Sequence, residues 1–277
     1  MRPCIICGGK THYFFSKEYK GHPYNDFMEE LKVDYYKCEN CGFVISKTHQ
    51  DMSEQEWSDL NNKWHHYFEK NTKNQISNQP PYADQALTLK ILEKNGIFKF
   101  EDTLDYAAGY GTLYKFIKKY FNNNISIFDD YINNSITDLP YVQRPNLKKY
   151  GLVINSAMFE HVLTRCALDK INACVANDGI LMLHTVICEN VPKDPNWFYI
   201  TPIVHTAFHT NKSMSILMEQ WGYASSIYSP HAKSWFLFKK CYQQLDKIES
   251  ICNSINTEIQ KEYFLYKSGF LDYWKGF

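Results

Sequence analysis

The feature that most constrains the fold is an alternation of strand-like and helix-like patterns from about residue 82 onward. Short apolar runs typical of buried strands occur at 103–107, 125–128, 151–155, 180–186, 224–228 and 235–238. Helical patterns fall between most of these runs: the first covers 82–94, and another covers roughly 158–176. The spacing of the last two runs suits a hairpin. Strands that alternate with helices predict a largely parallel sheet with helices on both faces.

Four cysteines near the N-terminus form two C-x-x-C pairs. Cys4 and Cys7 make the first pair, and 30 residues separate it from Cys38 and Cys41. Each such turn can present two thiolates to one tetrahedral ion, so together they predict a Cys4 zinc site. Four protein ligands leave no position open for water, which makes the expected zinc structural. The alternative is a set of four unliganded core cysteines.

Composition bears on the partners and the compartment of the chain. Its 277 residues include 30 basic and 30 acidic side chains, and only three of the basic residues are Arg. Nucleic-acid binders usually show a basic excess and use Arg, so RNA and DNA are disfavoured as substrates. No signal-peptide pattern and no apolar stretch long enough to span a bilayer are found. Since the other five of the nine cysteines are scattered, we expect a reducing cytoplasm.

The pattern of the chain divides it into segments. A capping box at Ser53 and Glu56 predicts a helix, and the polar stretch 71–81, which ends in two prolines, is the best linker candidate. An apolar stripe after residue 241 predicts an amphipathic helix. We therefore expect a zinc ribbon over 1–50, a helix and linker over 51–81, an α/β domain over 82–240 and a helical extension over 241–277.

A turn rich in small residues follows the strand-like run at 103–107. Ala107, Gly109 and Gly111 let the backbone come close to a ligand. Asp129 and Asp130 end the next strand-like run, where a carboxylate can accept hydrogen bonds from both hydroxyls of a ribose. The alternatives are an ordinary strand-to-helix loop and a solvated acidic turn.

At this point the sequence resembles the class I methyltransferases that use S-adenosylmethionine (SAM). The segment Asp105–Gly111 (DYAAGYG) resembles their motif I, D-x-G-x-G-x-G, with Ala107 at the first glycine. Residues 150–162 resemble the fourth strand and the acidic-His sequence after it, and 178–183 resemble the fifth strand. The matches run in order over 82–240. They imply a Rossmann-like, seven-stranded methyltransferase sheet with SAM as the cofactor.

The resemblance also implies a set of cofactor-binding residues. Asp105, Ala107 and Gly109 would line the methionine side of SAM, and Asp129 would bind the ribose. Asp138, followed by Leu139, is the candidate for the acid-apolar pair that contacts adenine. Only about twenty residues lie between Asp130 and the fourth strand, so the third strand and its helix are expected to be abbreviated. The full expected set is Asp105, Tyr106, Ala107, Gly109, Asp129, Asp130, Asp138 and Asn155.

Methyl transfer to many acceptors needs a base, and the candidates are His205 and His161, with Glu160 and His209 less favoured. His205 is preferred because it lies in a loop over 188–209 that should overhang the pocket. The alternative is that Glu160 and His161 only order the SAM pocket. Three aromatic residues of the same loop are expected to form a lid over the acceptor, unless they are plain core: Trp197, Phe198 and Tyr199.

A zinc-binding N-terminus joined to such a domain is similar to the sugar C-methyltransferases of deoxysugar pathways. Those proteins are longer, and we expect their additional C-terminal domain to be missing here. The sequence thus predicts a SAM-dependent methyltransferase for a small molecule: a sugar, a nucleotide-sugar or a capsule-type metabolite, methylated on O or C. The alternatives are an RNA or protein methyltransferase that recognises its substrate through the zinc module, and a non-enzymatic binding module.

Overall fold

The computed structural model describes residues 2–69, 80–132 and 138–273. The predicted linker at 71–81 therefore lies almost wholly outside the described residues. No helix in the described part is both long enough and apolar enough to cross a membrane. Two compact units make up the chain: the first comprises Met1–Gln79, Glu160–Ala167 and Val186–Ile216, and the second comprises Pro80–Phe159, Leu168–Thr185 and Leu217–Phe277.

Helices and strands of both units are numbered in chain order. They are β1 Thr11–Tyr19, β2 Leu31–Cys38, β3 Val44–Ser46, α1 Lys47–Gln50, α2 Glu54–Glu69, α3 Tyr82–Lys94, β4 Thr103–Tyr106, α4 Thr112–Phe121, β5 Ser126–Phe128, β6 Tyr150–Ser156, α5 Arg165–Ala173, β7 Val175–His184, β8 Ile187–Cys188, β9 Ala207–Thr210, α6 Asn211–Gln220, β10 Tyr223–Ser229, β11 Ser234–Lys239, α7 Ile248–Ile259 and β12 Leu265–Ser268.

The second unit is built on a seven-stranded sheet with the order β12-β10-β11-β7-β6-β4-β5. Strands β5, β4, β6 and β7 run parallel, and β11 lies antiparallel to β7. Strands β10 and β11 form the expected hairpin, and β12 pairs antiparallel with β10 at the edge. The α/β fold with a seven-stranded sheet that the sequence predicts is therefore confirmed.

Both faces of this sheet are covered. Leu152 and Ile154 of β6 belong to one hydrophobic cluster with buried residues of α3, α4 and α7. Side chains alternate between the two faces of a strand, so Val153 points away from that cluster. Val153 is nevertheless fully buried, as is Leu181 of β7. A central strand that is apolar on both faces explains why β6 reads as a continuous apolar run in the sequence.

Two details of the seven strands differ from the expectation. At the position of the abbreviated third strand, the described residues hold only an isolated parallel bridge between Ile127 and Tyr141. The seventh strand is instead β12, which comes from the segment expected to be a helical extension over 241–277. That segment contains an amphipathic helix, α7, as expected, and in addition the strand β12. The helix predicted over about 158–176 is also shorter, since α5 begins only at Arg165.

The first unit holds a five-stranded sheet with the order β1-β2-β3-β9-β8. Helix α2 begins with the predicted capping box: the Ser53 backbone N–H donates to the Glu56 carboxylate, and the Glu56 N–H donates to Ser53 Oγ. Leu60 and Trp64 of α2 join the hydrophobic core of this unit together with Tyr35. An aromatic-rich sequence thus yields a core of packed rings, many of which meet edge to face.

The division into units differs from the segments expected from the sequence. Residues 160–167 and 186–216, expected within a continuous domain over 82–240, belong to the first unit. Backbone pairing is the physical reason: Phe208 of β9 is in register with Val44 of β3, and β8 pairs parallel with β9. The N-terminal module is therefore larger than the ribbon expected over 1–50.

Candidate functional site

The glycine turn of the second unit follows β4 and leads directly into α4. Ala107 has a φ of 66°, Gly109 a φ of 52° and Gly111 a φ of 68°, all in the left-handed region. The backbone N–H of Ala107 donates to the carbonyl of Phe128 at 2.8 Å, which ties the turn to the end of β5. A left-handed Ala is unusual, so the turn is held by its surroundings rather than by local preference.

Gly109 and Gly111 share a left-handed backbone but differ in their surroundings. A Cβ built on Gly111 would lie 2.9 Å from Leu139 Cδ1, the end of a side chain that would have to shift. A Cβ on Gly109 would meet no atom within 4 Å and would project into open space beside the turn. The backbone at Gly109 is thus accessible to a ligand in the way that the sequence predicts.

Asp129, at the end of β5, faces this turn. Its Oδ2 accepts a hydrogen bond from the backbone N–H of Gly109 at 2.9 Å, and its Oδ1 accepts one from Tyr131 N at 2.8 Å. Burial raises the pKa of Asp129, although these hydrogen bonds act in the opposite direction. The neighbouring Asp130 is exposed and forms an ion pair with Arg144. The structure therefore brings Asp129 to the turn and leaves Asp130 on the surface.

Asp105 is the acidic residue inside β4, and its side chain is only 3% exposed. Burial, together with the charge of Asp129, raises the pKa of Asp105 to about 7. A carboxyl group in this state is readily ionised by a nearby cation, since the cation offsets the cost of burying the negative charge. Asp105 is thus suited to binding a positively charged ligand group.

Asn155 in β6 completes the set at the carboxyl ends of the parallel strands. Its Nδ2 donates to the backbone carbonyl of Tyr106 at 3.1 Å, which fixes the orientation of the amide. Its Oδ1 is buried and has no hydrogen-bond partner. Because buried polar atoms nearly always have a hydrogen-bond partner, this oxygen is suited to accept a hydrogen bond from a bound ligand. The Tyr106 ring itself is buried against Phe128, with ring centroids 4.9 Å apart.

One residue of this region was not predicted, and one expected residue is peripheral. Tyr141 donates its hydroxyl proton to the carbonyl of Gly109 and so braces the turn. No periodicity or spacing marks Tyr141 in the sequence, because it lies in an irregular stretch. Asp138, the expected adenine contact, is exposed, while the adjacent Leu139 packs near Gly111.

The four predicted metal ligands of the first unit lie together. The sulfur atoms of Cys4 and Cys41 are 3.6 Å apart, and those of Cys7 and Cys38 are 3.5 Å apart. Zn–S bonds of about 2.3 Å in a tetrahedron place the sulfurs about 3.8 Å apart, which is close to these values. The four cysteines could therefore hold a metal ion.

The two C-x-x-C turns have the same local structure. Gly8 N donates to the carbonyl of Cys4 at 2.9 Å, and Gly42 N donates to that of Cys38 at 3.0 Å. Gly8 and Gly42 both have a φ of 72°, a left-handed conformation that glycine adopts without strain. A Cβ on Gly9 would lie 3.2 Å from Cys38 Sγ, so the backbone closely covers the sulfurs.

The expected catalytic residues Glu160, His161 and His205 also lie together, all within the first unit. One ligand atom from each lies within 4.8 Å of the others. Burial lowers the pKa of His205 to about 4 and, with the neighbouring His205, lowers that of His161 well below its ordinary value. His209 is buried in β9 with its ring packed on Phe43.

The expected aromatic lid is not a lid. Trp197 and Tyr199 are buried in the hydrophobic core of the first unit, where both rings pack on Phe208. Phe198 is 38% exposed. The loop expected over 188–209 also ends in β9, which is a regular sheet strand. Core packing therefore accounts for Trp197 and Tyr199, and the interpretation of these two rings as a lid was wrong.

No protein-family profile and no curated protein matches the sequence. Among solved structures, the plantazolicin methyltransferase BpumL in complex with a triazolic desmethylPZN analog and SAH is 10% identical, with a TM-score of 0.43 over 67% of this chain and 98% of that chain. Streptomyces venezuelae DesVI is 11% identical, with a TM-score of 0.40 over 57% and 92%. An O-methyltransferase family protein from Burkholderia thailandensis is 10% identical, with a TM-score of 0.44 over 71% and 63%. Likeness at this level is too weak to assign an activity.

Proposed function

We propose that this chain is a methyltransferase that uses SAM and transfers its methyl group to a small molecule. The observation that carries the proposal is the left-handed turn after β4, with the Asp129 carboxylate bound to the N–H of Gly109. Such a turn at the carboxyl ends of parallel strands is where nucleotide-like ligands bind in α/β sheets. The resemblance of residues 105–111 to motif I points to the same ligand.

The residues of the second unit fit SAM in three ways. Bound SAM supplies a methyl group activated by its sulfonium. The chain has to bind SAM, orient the acceptor towards the methyl group and remove a proton from the acceptor. Asp105 would bind the positively charged ammonium group at the methionine end, since its carboxyl ionises readily beside a cation. Asp129 would accept hydrogen bonds from the ribose hydroxyls, because each carboxylate oxygen has a second lone pair. Asn155 Oδ1, buried without a partner, would accept a further hydrogen bond.

For the acceptor, we propose a sugar, a nucleotide-sugar or a capsule or surface-glycan metabolite, methylated on O or C. A net charge of +0 with three Arg residues disfavours RNA. A sugar acceptor is further supported by the N-terminal cysteine pairs, because a zinc-binding N-terminus of this kind resembles that of the sugar C-methyltransferases. For the base we retain His205, with His161 and Glu160 of the same cluster as the alternatives.

For the cysteine cluster, we propose one structural zinc ion bound by Cys4, Cys7, Cys38 and Cys41. The support is the sulfur spacing and the two matching C-x-x-C turns. Four thiolate ligands leave no open position, so this ion would stabilise the first unit rather than take part in chemistry.

The deciding experiment combines binding with turnover. Isothermal titration should detect one SAM per chain, and the purified protein should transfer labelled methyl from SAM to a fraction of a small-molecule pool. RNA and protein pools from the same source serve as the comparison. Labelling of RNA or protein alone would contradict the acceptor class, whereas an absence of SAM binding would contradict the proposed function as a whole.

A further inference from the structure

We propose that Glu160, His161 and His205 of the first unit bind a divalent transition-metal ion at a second site, distinct from the cysteine cluster. Two imidazoles and one carboxylate are a common ligand set for zinc and other divalent transition metals. Their ligand atoms lie within 4.8 Å of one another. Bonds of about 2.0–2.2 Å would need these atoms to approach by roughly 1 Å, a small side-chain movement.

The orientation of His205 leaves the lone pair of its Nε2 atom able to bind a metal ion. Its Nδ1 lies 2.7 Å from the backbone carbonyl of Tyr199. A carbonyl only accepts hydrogen bonds, so Nδ1 carries the proton and Nε2 carries the free lone pair. A carbonyl behind the ligating histidine is the usual arrangement at metal sites, since it fixes both the tautomer and the ring orientation.

His161 contributes the second imidazole. Its ring meets that of His205 edge to face, with centroids 5.1 Å apart. The Nδ1 atom of His161 is buried and has no hydrogen-bond partner. Leaving such an atom without a partner is unfavourable, and a bound ion would remove that cost.

Glu160 supplies the negative charge and is held in place by its backbone. The residue is 2% exposed, and its carbonyl accepts hydrogen bonds from the Thr206 N–H at 2.6 Å and from Thr206 Oγ1 at 3.3 Å. A buried carboxylate favours a cation beside it. Nitrogen donors disfavour Mg²⁺ and Ca²⁺, which take oxygen ligands. Three protein ligands also leave at least one position open on the ion.

This inference goes beyond the proposed function, because it concerns metal binding and does not depend on methyl transfer. The Nε2 lone pair of His205 can bind an ion or a proton but not both, so a bound ion would replace the base role of His205 and leave the proposed SAM binding unaffected. The full-length protein is freed of metal and titrated with Co²⁺ as the probe. We expect two equivalents: one with the strong thiolate charge-transfer absorption of the cysteine cluster, and a second without it. Added Mg²⁺ should not displace the second equivalent, and Zn²⁺ should.

Variants assign the second equivalent. His161→Ala and Glu160→Gln should weaken it by more than the roughly 10–100-fold that loss of an outer-shell partner costs. The matched control is His66→Ala, which removes an exposed histidine of the same unit. The thiolate absorption shows whether the first unit of each variant is folded. If His161→Ala loses this absorption, Glu160→Gln, which keeps the side-chain volume, becomes the variant that tests the second site. The proposal is overturned if only one equivalent binds, or if the second binds Glu160→Gln as tightly as the unaltered protein.

Discussion

At the scale of single residues, a side chain added at Gly109 tests whether the turn after β4 binds a ligand, because it would project into the open space beside that turn. Gly222, after α6, offers a matched comparison, since its φ is 73° and a Cβ there would also meet no atom within 4 Å. Both glycines belong to the second unit. Any side chain at either position costs about 1–2 kcal/mol of backbone strain.

The first prediction compares Gly109→Val with Gly222→Val. Both should lose a similar amount of unfolding free energy, because the backbone strain is the same. Only Gly109→Val should lose SAM affinity, by at least about tenfold (~1.4 kcal/mol), because its side chain would occupy the space beside the turn. Isothermal titration and denaturant unfolding measure the two quantities. Equal SAM affinity in the two variants would refute the placement of SAM at this turn.

The second prediction concerns the pH dependence of SAM binding through Asp105. The folded pKa of about 7 lies above the ordinary value, so this carboxyl is protonated in slightly acidic solution. Because the positive charges of SAM favour the ionised form, affinity should rise with pH up to about 7 and then level off. One linked proton gives a slope of about tenfold per pH unit below that point. Titrations from about pH 5 to about pH 8 measure it.

Asp105→Asn provides the control, since it should bind SAM more weakly and with little pH dependence. The effect on stability has the opposite sign. A carboxyl whose pKa is raised in the folded state stabilises it fully below the unfolded pKa of about 4, and this contribution is lost as the pH rises through 7. Asp105→Asn should therefore be more stable than the unaltered protein above about pH 7 without ligand. A pH slope that persists in the variant would assign the proton to another group.

At the scale of elements, strand β9 links the cysteine cluster to the rest of the first unit. Thr210, its last residue, donates its hydroxyl proton to the carbonyl of Cys41 at 2.5 Å, and its methyl group lies next to Gly42. The second C-x-x-C turn is therefore supported by a strand that follows it by more than 150 residues. Loss of the metal should then affect the whole five-stranded sheet and not only the turns.

The third prediction follows for Cys38→Ser, with Cys241→Ser, which alters an exposed cysteine, as the control. Cys38→Ser should lose the thiolate-bound zinc and about 4 kcal/mol or more of stability in the first unit. Hydrogen exchange should accelerate in β1, β2, β3 and β9 but stay slow in β4, β6 and β7. Elemental analysis and mass-spectrometric exchange measure both effects. Full zinc content in Cys38→Ser would contradict the assignment.

The elements that the sequence predicts well are those with local signals. Helix α2 has its capping box at Ser53, and β6 is a continuous apolar run. Strand β1 was missed because its burial does not alternate and its register shifts between Tyr13 and Phe15. Strands β8, β9 and β12 have two to four residues each and owe their existence to distant partners. Their pairing depends on tertiary contacts that no local pattern encodes.

The same distinction holds for the candidate sites. The cysteine set was predictable because each pair is a local motif, and the approach of Asp129 to the turn follows from parallel strands ending at one edge. From the sequence, the aromatic residues at 197–199 fit a lid over the acceptor and the hydrophobic core equally well. Only the burial of each side chain in the structure distinguishes the two interpretations. Tyr141 could not be predicted, because its hydrogen bond to Gly109 depends on the irregular path of the chain after β5.

At the scale of the whole molecule, the proposed sites fall into different compact units. The residues proposed to bind SAM belong to the second unit, whereas the cysteine cluster and the cluster of Glu160, His161 and His205 belong to the first. Removal of a general base slows proton transfer from the acceptor without removing a contact to SAM. Substitutions in the first unit should therefore change turnover or metal content while leaving the SAM affinity nearly unaltered.

The fourth prediction uses this separation to test the base. His205→Ala should lower methyl transfer by roughly 10²–10⁴-fold, the usual loss on removal of a general base, while SAM affinity stays within about twofold. His66→Ala, on the exposed side of α2, should leave both unchanged. Turnover with saturating acceptor and isothermal titration with SAM give the two readouts. If His205→Ala is fully active and His161→Ala is not, the base follows β6. If neither substitution lowers turnover, no histidine of this cluster acts as the base; if Glu160→Gln is also fully active, the acceptor needs only to be positioned against the methyl group.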